Sequence, residues 1–208
     1  MGGGTSGGSA AIAAAPSPEE IARSAYNDGV RTVGKAKNLD ADAATATDTA
    51  RKLKALDKAQ KAYRSALNQF QRAVNSNAGL YQAWNYIGFC QRHLGSYEAA
   101  LTAYARALEL NPDYHEAIEY RGEAYLGLNR TEDVKGAYLR LFRDARPLAD
   151  ELMTAMRRWL VDRHADAQGL NADALSAFDA WVAERATIAQ QTASLAVGVS
   201  TVAGTDWK

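Results

Sequence analysis

The chain of 208 residues has little of what a chemical site commonly needs. It contains one cysteine, Cys90, and three histidines. A single thiol excludes an internal disulfide framework and any zinc site built from several cysteines. Prolines number four, two of them at Pro16 and Pro18, and β-branched runs are scarce. A chain so poor in helix breakers and so rich in alanine favours helix throughout. Neither sign of charge is in excess, with 24 lysines and arginines against 24 aspartates and glutamates. That balance removes any global electrostatic reason to expect nucleic acid or an anionic membrane as partner. Outside the alanine-rich ends there is no uncharged, mainly apolar window of the ~18 residues that a spanning helix needs. No phosphate loop, nucleophile elbow or paired-histidine helix motif occurs, so neither an enzyme nor a cofactor is expected.

What is present begins at the two ends. Residues 1–16 mix glycine, serine and alanine without pattern, the composition of a flexible linker. They lack the basic region and the long apolar region of a signal peptide. Linkers of this kind often join a folded domain to an anchor or a cleaved export signal. Periplasm or cell envelope is therefore favoured over cytoplasm. Residues 194–208 are small and polar, and a loosely ordered tail is expected there.

Between the ends the chain repeats itself. A shift that carries Tyr81 onto His115 aligns YQAWNYIGFCQRHLGSYEAALTAYARALELNPDY (81–114) with HEAIEYRGEAYLGLNRTEDVKGAYLRLFRDARPL (115–148). Ala83 falls on Ala117, Tyr86 on Tyr120, Gly88 on Gly122, Leu94 on Leu128, Ala103 on Ala137 and Tyr104 on Tyr138. Gly88 and Gly122 mark places where two helices approach closely, and Ala100 and Ala107 do the same on the following helix. Ser96 is placed to cap a helix beginning at Tyr97. Asp113 with Glu116, and Ser17 with Glu20, read as capping boxes, the second with Pro18 at the first helical position.

A third copy is hidden upstream. Gly29 takes the glycine slot, and Ala66, Phe70 and Ala73 take those of the second helix. The interval from Gly29 to Ala66 far exceeds that from Gly88 to Ala100, so an insertion sits at the turn between the helices. The insert opens with DADAATATDT, read as a loop. It continues as one helix over roughly 47–76, with Leu53, Leu56, Gln60, Tyr63, Leu67, Phe70 and Val74 in one stripe. Arg51, Lys54, Lys58 and Lys61 lie on another side. They suit either a solvated face or contact with an acidic protein, membrane headgroups or nucleic acid. With no aromatic residues among them, base stacking has no support. After the repeats, 148–169 forms a helix with Leu148, Leu152, Met156 and Trp159 on one side. A further helix follows, with Leu175, Phe178, Val182 and Ala189 aligned.

Trp84, Ile87, Gly88, Gly95, Tyr97, Ala100, Tyr104, Ala107 and Pro112 make the window 81–114 resemble the tetratricopeptide repeat. The second copy departs from that pattern, with Ile118 for the tryptophan, Arg121 for an aliphatic residue and Arg146 for the final proline. The resemblance implies an all-α helix–turn–helix solenoid over 17–146, in units 17–80, 81–114 and 115–146, with C-terminal helices over 147–193. It also implies non-enzymatic work, the holding of a protein or peptide partner in a concave groove. The matching groove positions are Gln82, Asn85, Phe89 and Arg92, then Glu116, Glu119 and Glu123 as an acidic stripe. Phe89 is expected as an exposed anchor, the alternative being a ring covered by the N-terminal segment. A basic first repeat and an acidic third would allow weak head-to-tail self-association. Bacterial chains with such short arrays are often envelope proteins, and a structural subunit docking through its C-terminal helices is the alternative function. Cys90 and His93, close enough in sequence to share a helix face, would form a thiol or metal site. In repeat register they read instead as a packing slot and a helix end.

Overall fold

Helix formation starts at Ser17. Its hydroxyl accepts the Glu20 N–H at 3.2 Å, and the Glu20 carboxylate accepts the Ser17 N–H at 2.7 Å, the reciprocal cap expected from the sequence. The computed structural model describes residues 15–202, with side chains over 15–192. The expected flexible start, apart from Ala15 and Pro16, and the end of the expected tail from 203 onward lie outside the described residues. Eight helices and no strand occur among the described residues. They are α1 (Pro18–Thr45), α2 (Thr49–Ser76), α3 (Tyr81–His93), α4 (Tyr97–Leu110), α5 (His115–Gly127), α6 (Thr131–Asp144), α7 (Arg146–Ala165) and α8 (Ala172–Val202). Each helix packs on the next, and α3 also meets α5 as α5 meets α7, so helix pairs stack into a solenoid.

The first two pairs each close a glycine of their first helix under an aromatic ring of their second. A Cβ placed on Gly88 would lie 2.6 Å from the Tyr104 ring, and one on Gly29 would lie 2.6 Å from the Phe70 ring. In the third pair the corresponding contact comes from the next helix, with Leu152 of α7 2.8 Å from a Cβ on Gly122. The linkers repeat too. Asn77 turns its side chain back to accept the Gly79 N–H at 3.0 Å, and Asn111 accepts the Asp113 N–H at 3.3 Å. Helices α3 and α5 end in the same left-handed turn, carried by Gly95 at φ 77° and Asn129 at φ 57°.

The insertion in the first pair lengthens both of its helices. From Gly29, α1 runs on to Thr45, whereas α3 ends at His93, little more than a turn past Gly88. Likewise α2 starts at Thr49, far ahead of Phe70, whereas α4 starts at Tyr97, about two turns ahead of Tyr104. The segment DADAAT, expected as loop, is helical to Thr45 and leaves only residues 46–48 as the turn. The stripe on α2 also needs correction. Tyr63, Phe70 and Val74 are buried, but Leu53 is 61% and Leu56 38% exposed, while Ala55 and Ala59 take the inside. Near the turn α1 offers Ala36 and Ala43, and small side chains let the two helices approach so closely that leucine has no room between them.

Two expected caps are absent. Neither Ser96 nor Asp113 makes a side-chain cap bond. The Ser96 N–H closes the α3 end on the Gln91 carbonyl at 2.8 Å, and the Asp113 N–H is taken by Asn111, so Tyr114 becomes the residue before α5. An unforeseen cap starts α2, where Asp48 accepts the Arg51 N–H at 2.7 Å. The C-terminal helices continue the stack. Leu152, Met156 and Trp159 of α7 are buried with Leu175, Phe178 and Val182 of α8 in one core with Tyr138 and Leu141. α8 runs to Val202, past the expected start of the tail at 194.

Candidate functional site

The odd-numbered helices share one face, and a run of touching aromatic rings crosses it. Tyr26 of α1 meets Phe70 and Tyr86 edge-on, both at 5.8 Å, and Phe70 stacks on Tyr86 at 4.8 Å. Tyr86 leads to Phe89 at 6.2 Å, and Phe89 to Tyr120 of α5 at 5.1 Å. Near the starts of α3 and α5, Tyr81 and Tyr114 meet edge-on at 4.9 Å. The three tyrosines of this run and the two of this pair are half-buried, with part of each left in solvent. Burial raises the pKa of Tyr26 and Tyr86, raises that of Tyr114 with help from Glu116, and pushes Tyr120 up to about 12 with help from Glu119. These four remain neutral phenols with both a donor and an acceptor to offer.

The expected groove residues divide. Gln82 and Arg92 are half-buried, Glu116 is exposed, and Glu123 keeps a partly exposed carboxylate. Asn85, Phe89 and Glu119 are buried, at 2%, 2% and 1% exposure. Phe89 is therefore no exposed anchor. Tyr63, Tyr86, Tyr120 and His93 surround its ring, the Lys37 ammonium sits 4.8 Å over it, and the Arg92 guanidinium lies at 5.3 Å. Part of the cover comes from the lengthened α1, which carries Lys37 past the point where a helix as short as α3 would have ended.

The acidic stripe is taken up in the same way. Glu123 pairs with Arg92, whose guanidinium lies between the Phe89 and Tyr120 rings. Burial opposes the charge on Arg92, but Glu123 and Tyr104 outweigh it and its pKa is raised. Burial, and then the neighbouring Glu123, drive the pKa of Glu119 well above the carboxylate range, so its protonated form hydrogen-bonds Glu123. One oxygen of Glu119 has no partner. Of the three glutamates only Glu116 is a free surface carboxylate, and head-to-tail association through the stripe loses its acidic half. Lysine at position 119 would place a second cation beside Arg92 in the core.

Cys90 is wholly buried, and burial pushes its thiol up to about 12, far from a reactive thiolate. His93 stacks on Tyr63 at 4.4 Å. Burial, Arg92 and Lys37 lower its pKa to about 3, which keeps the ring neutral. Its carboxylate neighbour is Asp40 at 3.8 Å. No group of three histidine, cysteine or acidic side chains placed to hold a metal exists among the described residues.

Two clefts lie further along. One of about 410 Å³ is bounded by α3, α5 and α7, with Arg92, Glu123, Arg158, Trp159 and Asp162 on its walls. Another of about 470 Å³ lies between α7 and α8, where Val161 is 70% exposed. The tyrosine run is what sequence reasoning missed. Tyr86 and Tyr120 occupy the same place in successive repeats, a signal that was available. Tyr26, Tyr81 and Tyr114 fall out of register, and only packing brings Tyr26 into the run and Tyr81 against Tyr114.

Residues 81–114 match the family model described as Tetratricopeptide repeat. No curated protein matches the chain.

Proposed function

Because the chain is a tetratricopeptide repeat protein, we propose that it holds a peptide or helix of a protein partner on the face of its odd-numbered helices and catalyses no reaction. Repeats of this family generally mediate protein–protein interaction. The half-buried tyrosine run carries the reading. Tyrosine presents a large rigid surface with only two side-chain torsions to immobilise and ends in a hydrogen-bonding group, which makes it a favoured residue in binding surfaces. Tyr26, Tyr81, Tyr86, Tyr114 and Tyr120 supply that surface, with Gln82 and Glu116 beside them. Asn85 supports it from below, its amide donating to the Tyr114 hydroxyl at 3.5 Å. Phe89, Arg92, Glu119 and Glu123 act as the floor rather than as contacts.

Selection from a displayed peptide library against the whole chain tests this. Selected peptides are expected to lose roughly tenfold or more in affinity when Tyr81 and Tyr114 are replaced by alanine. They are expected to keep their affinity for a Val161→Asn variant. The opposite pattern would favour the second reading, a structural subunit docking through α7 and α8. The exposed Val161 in the α7–α8 cleft is the observation behind that reading. Partners in the periplasm or envelope remain part of the proposal. Among the described residues no helix is long and apolar enough to cross a membrane.

A further inference from the structure

The end of the α1–α2 hairpin stands apart from the rest of the molecule in both packing and charge. The core that includes α3 reaches no further along the hairpin than Leu39 and Ala59. Beyond it, Ala43 and Ala55 are buried between α1 and α2 themselves. Residues 35–64 hold 8 lysines and arginines against 4 aspartates, in a chain whose net charge is zero. Lys61 pairs with Asp57 at 2.7 Å. The side chains of Arg51, Lys52, Lys54, Lys58 and Arg64 are exposed and make no ion pair or hydrogen bond. From Arg51 to Arg64 the helix rises about 20 Å, so each of these cations lies within about one or two screening lengths of the others. Leu53 and Leu56 share this end, and they are two of the four large apolar side chains exposed among the described residues.

We propose that this end of the hairpin docks on an anionic bilayer surface. Unpaired lysines and arginines on one side of this helical segment and exposed leucines on another form a basic interfacial surface. The cations meet lipid phosphates and the leucines enter the boundary of the acyl region. Shape favours a bilayer over a folded acidic partner. The alanines use up the inner faces of both helices, so the leucines project from the outside of the hairpin and not into a groove between its helices. A plane of mobile lipids needs no pocket. Nucleic acid would use the cations and leave the leucines in water, and the only aromatic residue in 35–64, Tyr63, is buried against α3. The surface lies away from the tyrosine run, so docking there leaves the peptide face open.

The test is vesicle co-flotation of the full chain, using phosphatidylcholine alone or mixed with phosphatidylglycerol, at low and high salt. Binding is expected to the mixed vesicles only and to weaken with salt. The K54E/K58E variant is expected to bind roughly tenfold or more weaker. The L53N/L56N variant is expected to bind severalfold weaker. All four positions are exposed, and circular dichroism together with unchanged binding of a selected peptide establishes that each variant is folded. Four results would each overturn the proposal. These are no binding to mixed vesicles at low salt, equal binding to neutral vesicles, full binding by the charge-reversed variant, and binding that ignores the leucine substitutions. In the last case, tighter binding to duplex DNA or polyglutamate would reassign the patch to a soluble polyanion.

Discussion

The first and second helix pairs are one design at two lengths. Both close a glycine under an aromatic ring, Gly29 under Phe70 and Gly88 under Tyr104. Both place a tyrosine of the second helix about two turns before that ring. Tyr63 stacks on His93, and Tyr97 lies against Gly127, which stands in the next repeat where His93 stands in its own. Both pairs end on an asparagine that turns the chain into the next helix. They differ in the residues added at the turn, and those residues change character. Core packing by rings gives way to alanine against alanine, and the surface turns basic. The pairing units of the stack lie at one end of each helix pair, so the other end can grow without disturbing register. The boundaries differ as well. Neutral rings link α1 to α3, while a partly buried cluster of Arg92, Glu119 and Glu123 lies between α3 and α5.

The comparison breaks most readily at the glycines. Gly88→Ala should cost about 2–3 kcal/mol, since Tyr104 is fully enclosed and cannot give way. Gly29→Ala should cost a similar amount if the two pairs are equivalent, and urea melts of both variants measure this. A large difference between them would mean that the longer pair absorbs strain the shorter one cannot.

The charged boundary comes next. The pKa of Glu119 is raised in the folded state, so the protein favours its protonated form. That contribution is whole below the ordinary carboxylate value of 4.5 and is lost as pH rises towards the raised value. Glu119→Gln should therefore stabilise the protein at pH 8, on the order of 1–3 kcal/mol, and should change little at pH 4. Thermal melts at the two pH values check this, and a gain that does not depend on pH would remove the protonation account.

Smaller effects separate the two tyrosines. The Tyr63 hydroxyl donates to Asp40 at 2.6 Å, a bond that exists because α1 is long enough to reach it. Tyr63→Phe should cost about 1 kcal/mol. Tyr97→Phe, whose hydroxyl has no such partner, should fall within about 0.5 kcal/mol of the parent. Chemical denaturation of the two variants side by side reads the difference. The smallest change is a gain. Nothing lies within 4 Å of a Cβ on Gly34, in the same helix as Gly29. Gly34→Ala should stabilise by about 0.5–1 kcal/mol, in contrast to the loss at Gly29.

Much of this architecture was legible in the residues. The repeat period, the glycine slots, the upstream helix pair and the two C-terminal helices all show in spacing, because a repeat must present the same small and large side chains at the same intervals. The insertion was legible in size but not in shape. DADAATATDT has loop-like composition, yet its Ala43 is buried against α2, and that packing outweighs local preference. The binding face was the least legible part. Phe89 occupies a position that points towards the shared face, but residues far away in the chain, Lys37 and Tyr120 among them, cover it.

The sequence by itself determined the helices, their pairing and the identity of the repeat, because these rest on periodicity and on local contacts between neighbours in the chain. Tertiary structure alone decided which of the aligned side chains remain in solvent. Exposure depends on how far each neighbouring helix runs. The long α1 and α2 buried an expected anchor and carried a basic, leucine-bearing ridge beyond the stack.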